Sequence, residues 1–138
     1  MIIDAIHSFF EKECPLIKGK KLTVDCLGEK AHSCTIEPVP SGRTIKKYAD
    51  GGELRQYVFV FATREYFDKD MQERLNTAGF YEKFADWIDA QNESGNLPVL
   101  DEGKTSQSIE VLSSGYLYQV DAPKARYQIQ LRLIYEKE

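Results

Sequence analysis

The chain has 138 residues and 15.8 kDa, with 18 Lys and Arg against 22 Asp and Glu, a formal charge of −4. That length makes one domain, with room for a core that buries about 68–70% of the unfolded surface without help from disulfide or metal. A 42% hydrophobic and 29% charged composition excludes a disordered or collagen-like chain, no apolar run nears the ~18 residues of a membrane span, and the opening residues lack a signal-peptide pattern.

These totals read as a soluble, cytosolic protein with no membrane partner. A pI near 5.3 argues against nucleic acid as the main partner, because phosphate binding leaves a basic footprint. The charge is unevenly spread: residues 1–69 hold 11 basic and 10 acidic side chains, whereas residues 70–138 hold 7 and 12. Most of the deficit lies in 70–102, where Asp70, Glu73, Glu82, Asp86, Asp89, Glu93, Asp101 and Glu102 face only Arg74 and Lys83. Such a run is a solvated helix face or a patch that docks a basic partner.

Ile2, Ile3, Ile6, Phe9 and Phe10 form one stripe of an N-terminal helix, with Asp4 in its first turn and Pro15 as its stop. His7 lies away from Phe9 and is expected to reach solvent. From Leu22 the period becomes two: Leu22, Val24 and Cys26 alternate with Thr23 and Asp25, and Gly28 begins a turn. Cys34, Ile36 and Glu37 start a second strand that Pro38 and Pro40 end. Residues 44–49 and 54–66 flank Asp50-Gly51-Gly52, a hairpin-type turn. In the return strand Tyr57, Phe59 and Phe61 alternate with Val58, Val60 and Ala62, so both faces are apolar. That predicts a central strand with helices on one face and another layer or subunit on the other.

Asp68 or Asp70 can cap a helix running to Ala78, which Gly79 breaks or kinks. A second helix follows with Phe80, Phe84, Trp87 and Ile88 on its core stripe, ending at Gly95. Residues 101–108 read as a polar loop, followed by strands at 109–112, 116–120 and 126–135. Tyr127, Ile129, Leu131, Leu133 and Tyr135 share one face of the last strand, opposite Gln128, Gln130 and Arg132. The expected architecture is α+β: one domain over 1–138, a mixed and mainly antiparallel curved sheet, an N-terminal helix and a central helical segment packed on it.

Catalytic motifs are missing. Gly103-Lys104-Thr105 resembles the end of a phosphate-binding loop, but the glycine required five residues earlier is Pro98 and a strand follows instead of a helix. Cys14, Cys26 and Cys34 are an odd set, best explained as reduced, buried core thiols; a zinc site from Cys26, His32 and Cys34 matches no standard spacing. The Cys–His pairs lack an orienting partner, and Asp86 and Asp89 read as exposed charges rather than an acid–base pair. No enzyme activity, cofactor or metal is expected. Tyr48, Tyr57, Tyr66, Tyr116, Tyr118 and Tyr135 near strand ends are compatible with an interaction protein, since tyrosine suits half-wet interfaces.

Several short blocks carry a family resemblance: Ser33-Cys34-Thr35-Ile36-Glu37-Pro38-Val39-Pro40, Ile45-Lys46-Lys47-Tyr48 leading to Tyr57-Val58-Phe59-Val60-Phe61, Gly79 to Trp87, Gly95-Asn96-Leu97-Pro98, and Ala125-Arg126-Tyr127-Gln128-Ile129-Gln130. From about residue 20 onward the chain resembles the tail terminator (minor capsid, tail-completion) proteins of long-tailed phages and prophages of Gram-positive bacteria. The resemblance implies a subunit that joins copies of itself in a hexameric ring on a finished tail tube, halts its polymerisation and meets the head-completion or neck proteins. It places the protein in the virion tail, assembled in the host cytoplasm. No family motif assigns contact residues. The turn residues Asp50, Gly51, Gly52 and Glu53, the loop residues Lys104 and Thr105, and Asp121, Lys124 and Arg126 around the last turn are the candidate docking positions. A head–tail connector is a sister reading, and a small ligand-binding or enzymatic α+β domain is the rival.

Overall fold

The computed structural model describes residues 1–67 and 71–138. Its elements are α1 (Ile2–Glu13), β1 (Leu22–Val24), β2 (Cys34–Pro38), β3 (Thr44–Lys47), β4 (Glu53–Tyr66), α2 (Met71–Ser94), β5 (Lys104–Val111), β6 (Tyr116–Asp121) and β7 (Lys124–Lys137). A 3-10 turn, Pro15–Ile17, follows α1, so the helix does end where proline withdraws its N–H.

The frame is the antiparallel pair β4–β7, in register from Glu53↔Lys137 to Tyr66↔Lys124. Two shorter strands share the outer edge of each. On β4 these are β2, opposite residues 59–63, and β3, opposite 53–55; on β7 they are β5 and β6. β1 adds to β2 in parallel, Leu22↔Cys34, through the connection 25–33 rather than by a hairpin. The result is a seven-stranded mixed sheet that does not close, an α+β fold with an N-terminal and a central helix.

Both helices lie on one face. Ile6, Phe9 and Phe10 of α1 and Tyr81, Phe84 and Ile88 of α2 pack on Ile36, Phe59, Phe61, Ile109, Ile129, Leu131 and Leu133, all in one phase of their strands. Phe61 stacks on Phe84 at 4.4 Å, and Phe84 on Phe10 at 5.7 Å. Trp87 borders this core, half-buried against Phe9 and Phe10.

The other face carries no helix among the described residues. Val60 and Ala62 are nonetheless buried there, beneath polar side chains of the chain itself. Glu37 lies on β2 opposite Val60 and Arg126 on β7 opposite Arg64, so their ion pair crosses over β4 at Ala62. The small alanine leaves room for the crossing. Within this chain, the Arg126–Glu37 bridge covers that face at Ala62.

Other expectations are corrected. α2 is one helix of 24 residues running through Gly79. A mid-helix glycine costs only about 1 kcal/mol, which the packing of Tyr81 and Phe84 outweighs. The proposed caps Asp68 and Asp70 lie outside the described residues. The polar loop at 101–108 is mostly strand, because Lys104–Ser108 finds backbone partners on the open edge of β7. His7 is half-buried, its Nε2 2.7 Å from the Leu22 carbonyl and its Nδ1 3.4 Å from Glu11. Cys14 and Cys34 are buried, but Cys26 is exposed, since β1 ends before it and parallel pairing sets Leu22, not Cys26, beside Cys34.

Candidate docking surfaces

The nine candidate positions fall into two groups at opposite ends of the β4–β7 pair. Register sets Glu53 beside Lys137 and Lys137 beside Lys104, which brings the β3–β4 turn and the start of β5 together. Asp121, Lys124 and Arg126 lie at the far end, where Lys124 pairs with Tyr66. At about 3.3 Å per strand residue the two groups are roughly 40 Å apart.

The first end is closed by its own hydrogen bonds. Asp50 Oδ1 accepts the Gly52 N–H at 3.0 Å, and the Tyr48 N–H donates to the Gly52 carbonyl at 2.8 Å. Gly51 takes φ +95°, a conformation that favours glycine. Glu53 is tied inward: Arg55 Nη2 donates to one oxygen at 2.7 Å and Thr44 to the other at 2.9 Å. Those two donors hold the Glu53 carboxyl below its usual range, Arg55 first. Asp50, Gly51 and Thr105 are exposed and Lys104 is half-buried.

The far end is a hairpin, its Ala122–Pro123 bond cis. Lys124 Nζ donates to the Glu29 carbonyl at 2.8 Å. Arg126 is engaged on every side: Nη2 and Nη1 reach the two Glu37 oxygens at 2.8 and 3.2 Å, Nε donates to Gln128 at 3.0 Å, and the guanidinium lies 5.1 Å from the centre of the Tyr118 ring. Arg126 is thus a brace within the sheet, and the ring it holds in place, Tyr118, is the exposed group.

Several surface features are invisible to segment-by-segment reading. Gln128 and Gln130 both donate to the Tyr116 hydroxyl, at 2.6 and 3.2 Å, and Arg132 joins Glu110 on β5 to Gln56 on β4. The helix-free face is therefore a lattice of arginine, glutamine and tyrosine, of which arginine and tyrosine are enriched at binding surfaces. Strand alternation marks Gln128, Gln130 and Arg132 as one face; only the register reveals their partners. The outer edges at β5–β6 and at β3 pair with no further strand among the described residues, whereas at β1 the Leu22 carbonyl meets His7 of α1. On one side β6 exposes Leu117, Tyr118 and Val120, with Leu112 just before it; on the other, β3 exposes Ile45 beside Lys46 and Lys47. Unpaired strand edges that carry apolar side chains are templates for pairing with another chain.

No three or more His, Cys, Asp or Glu side chains among the described residues are placed to hold a metal ion, and none of the described helices is long and apolar enough to cross a membrane. No family model matches the chain, and no curated protein matches it.

Proposed function

We propose that the protein is a tail-terminator subunit, a structural virion-assembly protein that forms a ring on the finished tail tube, stops its growth and presents a surface for head joining. The observation that carries this reading is the pair of dissimilar open edges on opposite sides of one sheet. A ring of identical copies uses head-to-tail contacts, in which one patch meets a different patch of the next subunit. The β5–β6 edge and the β3 edge supply two such patches. The two ends of the β4–β7 pair are then left for the two axial neighbours, tube below and neck above.

The test is to add the cognate tube protein during polymerisation and to measure tube length by electron microscopy, with mass in solution recorded alongside. Shortened tubes that end in a ring are expected. A protein that neither binds tube ends nor forms rings under any condition overturns the reading.

A further inference from the structure

A groove of about 450 Å³ opens where β2 has ended and β3 has not begun, so that β4 lacks a neighbouring strand beside Gln56–Val58. The connection 39–43 bridges the gap through the Val39 N–H to Val58 O bond at 2.9 Å and the Gln56 N–H to Arg43 O bond at 2.7 Å. All the charged side chains in its wall are cationic: Arg43, Arg55 and Lys104. Arg55 is 7% exposed, and its Nε is a buried donor with no partner among the described residues. The remaining wall is largely flat or apolar, with Pro38, Val39, Pro40, Tyr57 and Tyr135.

Glu53 balances the charge of Arg55, and no other acid pairs directly with a wall cation among the described residues, so Arg43 and Lys104 keep the wall net positive. Glu53 already spends one oxygen on Arg55 Nη2 and the other on Thr44. Asp101, on the Lys104 side, is held by the chain's amino terminus at 3.0 Å. Asp25 acts on Tyr57 from the β1 side and is not part of the wall. Lys137, beside Lys104 in register, adds a further positive charge.

We propose that this groove is a binding site for a small organic carboxylate on a flat apolar body. With Nη2 held by Glu53, the unmet Nε–H of Arg55 gains by donating to a carboxylate oxygen, a charge-assisted contact stronger than one to a neutral acceptor. Lys104 supplies the second positive charge, and Tyr57 with the two prolines receives the apolar body. The inference does not depend on ring assembly, since every wall residue belongs to one chain.

The probe is sodium benzoate, titrated at constant ionic strength into the 15N-labelled full chain and followed by NMR. Benzamide serves as the neutral isostere and inorganic phosphate as the anion without an apolar body. Benzoate is expected to shift the Arg55 Nε–H signal and the amides of Gln56, Tyr57 and Lys104 saturably; phosphate should shift them more weakly and benzamide not at all. Lys104→Gln should weaken benzoate about three- to tenfold, the effect of removing one partly exposed charge-assisted contact. Arg55→Lys should abolish the saturable shift; because it also removes the Glu53 pairing, the Lys104→Gln titration decides if that variant does not fold. Equal responses to benzoate and benzamide, phosphate binding as tightly as benzoate, or shifts confined to other lysines such as Lys46 and Lys47 each overturn the proposal.

Discussion

Tyr81 shows how a single residue joins the two layers. It rises from α2 into the core, 3% exposed, and its hydroxyl meets Thr63 of β4 at 2.7 Å and donates to the Tyr127 carbonyl of β7 at 3.0 Å. Burial pushes its ionisation well above the usual tyrosine value. Tyr81→Phe keeps the ring but leaves Thr63 and Tyr127 short of a partner in a dry place, so a loss of about 1–3 kcal/mol in urea unfolding is expected. Gly115 depends on the same ring, since a Cβ there would lie 2.4 Å from Tyr81 Cγ. The cysteines divide by environment. Burial pushes the Cys34 thiol up to about 11 from an ordinary 9.0 and raises Cys14 as well, whereas Cys26 is exposed. In the unfolded chain Cys34 ionises from about pH 9, while the fold keeps it neutral until about pH 11. Its contribution to stability is therefore complete below pH 9 and is lost as pH rises through that window, at up to about 1.4 kcal/mol per pH unit. Unfolding free energies measured across that range should fall less steeply in Cys34→Ala than in the parent. A parallel slope would show that burial does not govern this thiol. Under native conditions a thiol reagent should label Cys26 fast and the other two only as the core opens.

At the scale of elements, α2 is the clearest case of a local signal outweighed by packing. Gly79 sits inside the helix, and a Cβ there would meet nothing within 4 Å. Gly79→Ala should therefore stabilise the protein by about 0.5–1 kcal/mol, raising the melting temperature by roughly 2–4 °C. No gain would mean that the glycine accommodates a bend the helix needs. Across the sheet, the Arg126–Glu37 bridge fits because residue 62 is small. Ala62→Leu should lift the bridge and cost about 1–3 kcal/mol through crowding, and Glu37→Gln in that background should then cost less than in the parent. Additive losses in the double-mutant cycle would separate Ala62 from the bridge. Elements whose own residues bury a face were legible in the sequence: α1 from its stripe of Ile and Phe, β4 from a run apolar on both faces, β7 from strict alternation. What was not legible depended on distant partners. Lys104–Ser108 looks like a loop until β7 offers its edge, and the parallel pairing of β1 with β2 has no short-range marker. Of the candidate site, the turn at Asp50–Glu53 was readable from Gly51 and Gly52. Arg126 was singled out, but its role as a brace depends on Glu37, 89 residues away in the chain. The Arg55 groove could not be read at all, because register alone gathers Arg55, Lys104 and Tyr135.

For the molecule as a whole, the uneven charge becomes a surface feature. Glu82, Asp86, Asp89 and Glu93 recur along one stripe of α2, all exposed and none in an ion pair with another described residue. The basic residues of β3, Lys46 and Lys47, are both exposed and lie on the β4 side of the sheet just before the turn. Carboxylates three and four apart on a helix repel one another by about 0.2–0.5 kcal/mol per pair. Replacing all four by their amides should therefore leave the fold intact and raise its stability slightly at low salt. A decrease would mean that the stripe has a cationic partner inside the fold. The same variant tests whether the stripe steers assembly. An exposed single-sign stripe acts mainly on the rate of encounter with an oppositely charged surface, and salt screens it over a Debye length of about 8–10 Å near physiological ionic strength. On the ring reading, the amide variant should cap tubes more slowly than the parent at low salt, and the two rates should converge as salt is raised. Equal rates at low salt would assign the stripe to solvation alone and leave the open sheet edges as the contacts that build the ring.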